Sequence, residues 1–358
     1  DYIGMVPGID DTQQKLSKIF FVRSADGLRW NSVGTPLSVG DLNLKNATLD
    51  AFTHDGTSTK VLVHGENDGK VVFYHISRTD AGFSKPIKIF SSANILNGAV
   101  VRSTYGYVGM LYMKSGSERY FALIESMDAI NWSKPVKVFS GDIVKYPVSY
   151  IDITDVDITD ENKIRVWAVV TRQSDSARRL VYFESDFDQR ILTDNDSVLF
   201  SANRMRNVAQ YIYGANNALI DHDMIFSNGS FAIPIAKNNG SYNKIQLLYG
   251  NLTTHKDYEV IEISEPGFDT VYPYSLGAPS IAKLGNTYHM AFHTTDKVGS
   301  GSAIYTIKTT NLKKWTGAPV RAFGPKSSTP YESHAGKAAL CVHQGKLHMF
   351  FIGIKQTA

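Results

Sequence analysis

Three carboxylates far apart in sequence, Asp50, Asp155 and Glu332, each lie in or just ahead of a short stretch rich in Val, Ile, Ala and Leu. Cleavage of a glycosidic bond uses such a set. One carboxyl group, protonated, assists the departing oxygen, while an ionised one acts as nucleophile or base. These three are the candidate catalytic residues. Residues suited to holding a sugar accompany them: His64, Glu66, Arg102, Arg172, His293 and His334 can bond hydroxyls or pair with acidic groups, and Tyr274 can stack on a sugar ring. Each type also serves ordinary loops and cores, so the elements that position them decide the matter.

Other chemistries lack their residues. There is no Gly-x-Gly-x-x-Gly, Walker loop or Gly-x-Ser-x-Gly. The single Cys341 excludes an internal disulfide and a cysteine-built metal site. His54, His222, His289, His343 and His348 show no metal-ligand spacing, so neither metal nor cofactor is expected. A formal charge of +3 without long Lys/Arg runs gives no electrostatic case for nucleic acid. No window approaches the ~18 apolar residues of a membrane span. The chain opens on Asp1-Tyr2-Ile3-Gly4, with neither an initiator Met nor a signal-peptide pattern, and so reads as a processed product or an excised domain.

With 43% hydrophobic residues, 18 Phe and 19 Tyr, the chain can bury a large core. Helical periodicity is scarce; short Val-, Ile-, Tyr- and Phe-rich runs recur between Gly, Asn and Asp turns. They repeat as units. Units span Leu49–Pro86, Ala99–Pro135, Ile151–Arg190, Asn217–Tyr258 and Gly277–Trp315, and a last one combines Ala335–Ile354 with Ile19–Trp30. The expectation is an all-β, six-bladed β-propeller forming one domain over residues 1–358, closed by pairing of the N- and C-terminal strands in one blade.

The turns carry a pattern, Ser24-x-Asp26-x-x-x-Trp30 and Ser126-x-Asp128-x-x-x-Trp132, with Thr309-x-Asn311-x-x-x-Trp315 a variant. It resembles the Asp boxes of sialidase-type six-bladed propellers, and similar turns occur in five-bladed arabinanase-type glycosidases. A short acid can accept amides within a tight turn while the Trp packs between blades, so Asp26, Asp128 and Asn311 read as structural. The stretch Gly277–Gly353 is also similar to the end of the propeller in phage endosialidase tail spikes. Sialidases of this type open on Phe-Arg-Ile-Pro and clamp the substrate carboxylate with arginines. Here the first blade has Phe21-Val-Arg23-Ser24, and expected arginine places hold His293 or Thr294 and Lys355.

Residues and resemblance together lead to a glycan-processing propeller, a glycoside hydrolase acting on a surface or extracellular poly- or oligosaccharide. The alternative is a non-catalytic carbohydrate- or host-receptor-binding propeller, since fold alone does not choose between them. Either implies a carbohydrate partner and an extracellular, secreted or virion-associated location. A tail-spike origin further implies a homo-oligomer.

Overall fold

Strand Gly106–Ser115 is buried without interruption from Tyr107 to Met113, so both of its faces are covered. A strand covered on both faces reads as a continuous apolar run rather than an alternation, and this is the pattern of a sheet packed between two others. The computed structural model describes residues 17–32, 35–38, 42–54, 58–79, 81–103, 106–140, 148–158, 163–172, 178–186, 204–207, 219–222, 225–227, 230–238, 243–251, 258–263, 276–295, 302–315, 317–324 and 334–354. Among these no α-helix occurs. No helix of the described residues is long and apolar enough to cross a membrane.

The chain divides into two compact units, Thr48–Thr79 with Ser84–Ala215, and Asp1–Ala47 with Asp80–Phe83 and Asn216–Ala358. The first holds sheets built on Thr59–Asn67, Lys70–Thr79 and Ile87–Ser92; on Ile95–Ser103, Gly106–Ser115, Glu118–Ser126 and Val136–Ser140; and on Val148–Ile158, Lys163–Arg172, Arg178–Asp186 and Arg204–Asn207. Strand Lys45–His54 precedes the first of these. The second unit holds a sheet on Leu219–His222, Ser230–Asn238, Asn243–Asn251 and Tyr258–Glu262, and a nine-stranded sheet. These are antiparallel meanders, the blades of an all-β β-propeller.

The expected six blades are corrected to five. Gly277–Leu284, Thr287–Thr295, Ser302–Thr309 and Val320–Phe323 share one hydrogen-bonded sheet with His334–His343, Lys346–Ile354 and Ser17–Ser24. The join is a parallel bridge between Ser302 and His334, which fuses the last two sequence units. The expected pairing of the two ends does occur. Ser17–Ser24 runs antiparallel along Lys346–Ile354, from Ser17 opposite Ile354 to Ser24 opposite Leu347. Cross-strand aromatics fasten it: Phe20 stacks on Phe351 at 5.0 Å and Phe21 lies 4.6 Å from Phe350.

Sheets in each unit bury one another's faces. Val108, Met110, Tyr112, Phe121 and Leu123 pack with Ile151, Ile153, Val166 and Ala168 in one core. The inner strands, at the ends of their sheets, need polar help. The side-chain amide of buried Asn97 donates to the Ile151 carbonyl at 2.6 Å, and its oxygen accepts from the Ile153 amide at 3.0 Å. This clamp sits where the ladder of Val148–Ile158 shifts between Ile153 and Asp155. Ser280 does the same elsewhere, accepting from the Leu340 amide at 2.9 Å.

The recurring Ser-Lys-Pro is explained by a second clip. The Ser84 amide donates to the Ser77 carbonyl and its hydroxyl accepts from the Ser77 amide, at 2.7 and 3.0 Å. Ser133 makes the same pair with Glu125, at 2.9 and 3.0 Å. The following proline needs no donor, which suits the start of an outer strand.

Asn97→Leu strands a buried amide and a buried carbonyl, and a loss of about 2–4 kcal/mol in urea-denaturation stability is expected. A change within about 0.5 kcal/mol of wild type would reject the clamp.

Candidate functional site

The Ser-x-Asp turns are closed systems. Ser24 Oγ accepts from the Gly27 amide at 2.8 Å, and Asp26 Oδ1 accepts from the Leu28 and Arg29 amides at 2.8 and 2.9 Å. Turn 126–132 repeats this: Ala129 donates to Ser126 Oγ at 2.9 Å, and Ile130 and Asn131 donate to Asp128 Oδ1 at 2.8 Å each. In the Asn311 variant the Thr309 hydroxyl accepts from the Asn311 amide at 3.0 Å, and Asn311 Oδ1 accepts from Lys313 at 3.0 Å. Trp132 packs edge-on against Phe90 at 5.5 Å, between neighbouring sheets.

These bonds hold the carboxylates ionised. The Arg29 amide, then the Leu28 amide, lowers Asp26 to about 2. For Asp128 partial burial works against ionisation, yet the Asn131 and Ile130 amides outweigh it and bring the group to about 2 as well. Acids engaged in this way support a turn.

Each antiparallel sheet has two chemically different ends. At one lie the hairpin joining the first two strands and the Ser-x-Asp turn: Tyr107 faces both Arg102 and Ser126. At the other lie the start of the inner strand and the end of the second. Arg172 stands there, opposite Val148, and so does His293, opposite Gly277. His334 begins its strand at the same end, opposite Ile354. Glu66 is exposed and faces Val71, beside the turn at Asp68 and Gly69.

The sheet ladders separate several expected site residues. Arg102 falls at the hairpin end of its sheet. Asp155 faces Trp167, near the hairpin at Ile158 and Ile164, and so lies toward the opposite end of its ladder from Arg172. Asp50 is within Lys45–His54 rather than at its first residue. Tyr274 and Glu332 lie outside the described residues.

Two of the histidines are packing elements by their surroundings. His64 stacks on its cross-strand partner Phe73, with centroids 4.9 Å apart at 23°. His293 is 6% exposed, and its ring fills the space left by the missing side chain of Gly277: a Cβ there would lie 2.6 Å from Nε2. Sequence reading gave no part to His75, 1% exposed in Lys70–Thr79, and read His289, 3% exposed, as packing or surface. The available signal was a polar ring in mid-strand, facing a neighbour's Ser-x-Asp turn.

No family model and no curated protein matches the chain. Among solved structures it is similar to an exo-1,5-α-L-arabinanase from a bovine ruminal metagenomic library, at 11% identity and TM-score 0.45, over 74% of this chain and 89% of that one. An α-L-arabinanase of Cellvibrio cellulosa, complexed with arabinohexaose, aligns at 10% identity and TM-score 0.46, over 72% and 86%. The arabinanase of Bacillus subtilis aligns at 13% identity and TM-score 0.42, over 74% and 95%. At such values this chain's own residues must carry any functional conclusion.

Gly277→Ala drives a methyl group into the His293 ring, and a loss of about 1–3 kcal/mol is expected. His293→Ala in the same chain should recover part of it; a double-mutant cycle with no coupling would remove the packing role. Because the folded Asp128 lies below its ordinary 3.8, its stabilisation is present above that value and is lost as pH falls toward 2. The melting temperature of Asp128→Asn should therefore change less than that of wild type between pH 4 and pH 2.

Proposed function

We propose that the protein is a glycan-processing propeller: a glycoside hydrolase acting on a surface or extracellular poly- or oligosaccharide. What supports this reading is a set of charged and hydrogen-bonding positions at the strand-start ends of the sheets. Arg172 stands opposite Val148, His334 opposite Ile354, and Glu66 is exposed at the end of its strand. Polar groups at one end of otherwise apolar strands can hold sugar hydroxyls, while at the turn-bearing ends one oxygen of each turn carboxylate serves turn amides.

Glu332, two residues ahead of His334 in sequence, is the first catalytic candidate, and Asp50 and Asp155 are the candidates for its partner. The chemistry asks for one protonated and one ionised carboxyl group, and neither role needs a cofactor. The Ser-x-Asp-x-x-x-Trp turns further support a place among Asp-box propellers of the sialidase type, the phage tail-spike domain included. A substrate of this class puts the protein outside the cell or on a virion.

Reducing-sugar release from a panel of neutral and mildly acidic polysaccharides tests the assignment in wild type, Glu332→Gln and Asp155→Asn. Loss of roughly 10²-fold or more in Glu332→Gln is expected. Release unchanged in both variants would remove the catalytic assignment. A glycan that wild type binds without releasing sugar would make the protein a carbohydrate- or receptor-binding propeller.

A further inference from the structure

Two buried histidines that the proposed chemistry does not use are associated with the two Ser-x-Asp turns. Nδ1 of His289 has no hydrogen-bond partner among the described residues, and Gly27 lies so close over it that an added Cβ would come within 2.2 Å of that nitrogen. The φ of Gly27 is +71°, so both space and backbone require glycine there. The turn is also tied down by the Thr306 hydroxyl, which donates to the Gly27 carbonyl at 2.9 Å. The Lys308 ammonium donates to the Asp26 carbonyl at 3.4 Å.

The second case uses the same parts on exchanged strands. Neither ring nitrogen of His75 has a hydrogen-bond partner among the described residues, and the Lys60 ammonium donates to the Asp128 carbonyl at 3.5 Å. Ala129, in that turn, is fully buried with φ +64°. His289 and Lys308 are direct cross-strand partners on the second and third strands of their meander. In the other pair the histidine is on the third strand and the lysine on the second, with Lys60 opposite Ser77 and His75 opposite Leu62. The same combination of turn, lysine and uncharged ring is thus reached by two strand arrangements.

We propose that each imidazole is the neutral seat of a latch, and that acid releases the latch. A proton on the ring adds an N–H donor to a buried site and a positive charge beside a lysine ammonium, so the turn lifts away from the strands beneath it. The strands packed against His289 present Ala282, Leu347 and Lys308, and the turn presents Asp26. Those around His75 present Leu62, Ile87 and Lys60, and the turn presents Asp128. Asp26 and Asp128 favour the proton, but their oxygens already serve the turn amides.

Burial, then Lys308, holds His289 at about 4 against its ordinary 6.5, with Asp26 opposing. Burial, then Lys60, lowers His75, with Asp128 opposing. A ring depressed in the seated state keeps the latch shut above its ordinary value and loosens it as pH falls toward the seated value.

Hydrogen exchange of the full chain, read by mass spectrometry at pH 7, 5 and 4 and corrected for the intrinsic pH dependence of exchange, tests this. Opening of segment 24–30 should rise roughly 100-fold from pH 7 to pH 4, while Lys346–Ile354 keeps its protection. Segment 126–132 should loosen in the same direction. His289→Leu and His75→Leu should each abolish the pH response of their own turn. Should a variant fail to fold, NMR titration of the wild-type rings supplies the second reading, with His289 expected below its free value. Turns whose protection is flat from pH 7 to pH 4, a wild-type ring titrating at its free value, an unchanged response in a folded Leu variant, or loss of strand and turn protection together would each overturn the latch.

Discussion

An inner strand at the end of its sheet pairs on one side only, and the buried amides and carbonyls of its other edge have to be satisfied from outside the ladder. Ile95–Ser103 and Val148–Ile158 are both terminal strands of their sheets. Asn97 answers the requirement for the second of them, donating to one residue and accepting from another two positions on. Ser280 adds a single bond of this kind to the Leu340 amide of His334–His343, a strand inside its nine-stranded sheet. A buried polar side chain on an inner strand can thus serve the backbone of the next sheet, as Asn97 does, and is by itself weak evidence of a site. The same accounting divides the acids. Asp26 and Asp128 each bond the amides of their turns.

The turns close the opposite ends of the same sheets, and they bring a different constraint. A tight Ser-x-Asp turn presents a residue of positive φ to the strands beneath it, Gly27 in one case and Ala129 in the other. Where a ring comes up to meet the turn, as His289 does, only glycine fits. Carboxylate and imidazole then respond to acid in separate ranges. The turn acids stay ionised down to about 2, whereas His289 takes its proton near 4. A turn can therefore keep its internal hydrogen bonds while losing its seat, because the two depend on different protons.

The repeat of strands and turns was legible because it is written in side chains: aromatic and branched runs, Ser-Lys-Pro at outer strands, Ser-x-Asp with Trp at the turns. Pairing of the chain ends was legible for the same reason, since Ile19–Trp30 supplies what Ala335–Ile354 lacks. The number of sheets was not. The bridge from Ser302 to His334 is a backbone contact between segments far apart in sequence, and no residue pattern announces it. The sense of Asp155 was also hidden, because shifts in the ladder of Val148–Ile158 alter which residues face which and alternating acids do not tell one end of a strand from the other. His293 looked like a binding residue by type and position; its packing role shows only in the glycine that faces it, sixteen residues earlier.

The two ends of each sheet differ in the polar residues placed there. At the turn end the hydroxyl of Ser126 and the carboxylate of Asp128 are already bonded within the turn, and Arg102 stands on that side. At the strand-start end the sheets carry Arg172, Glu66 and the first residue of His334–His343 beside ordinary apolar ladder positions. Sugar recognition needs donors and acceptors that exchange water for hydroxyl groups. The polar strand-start ends therefore suit a ligand and the turn ends suit anchorage. In the proposed latch, a proton taken up under a turn loosens one end of the blade while the ladder holds the residues of the other in register.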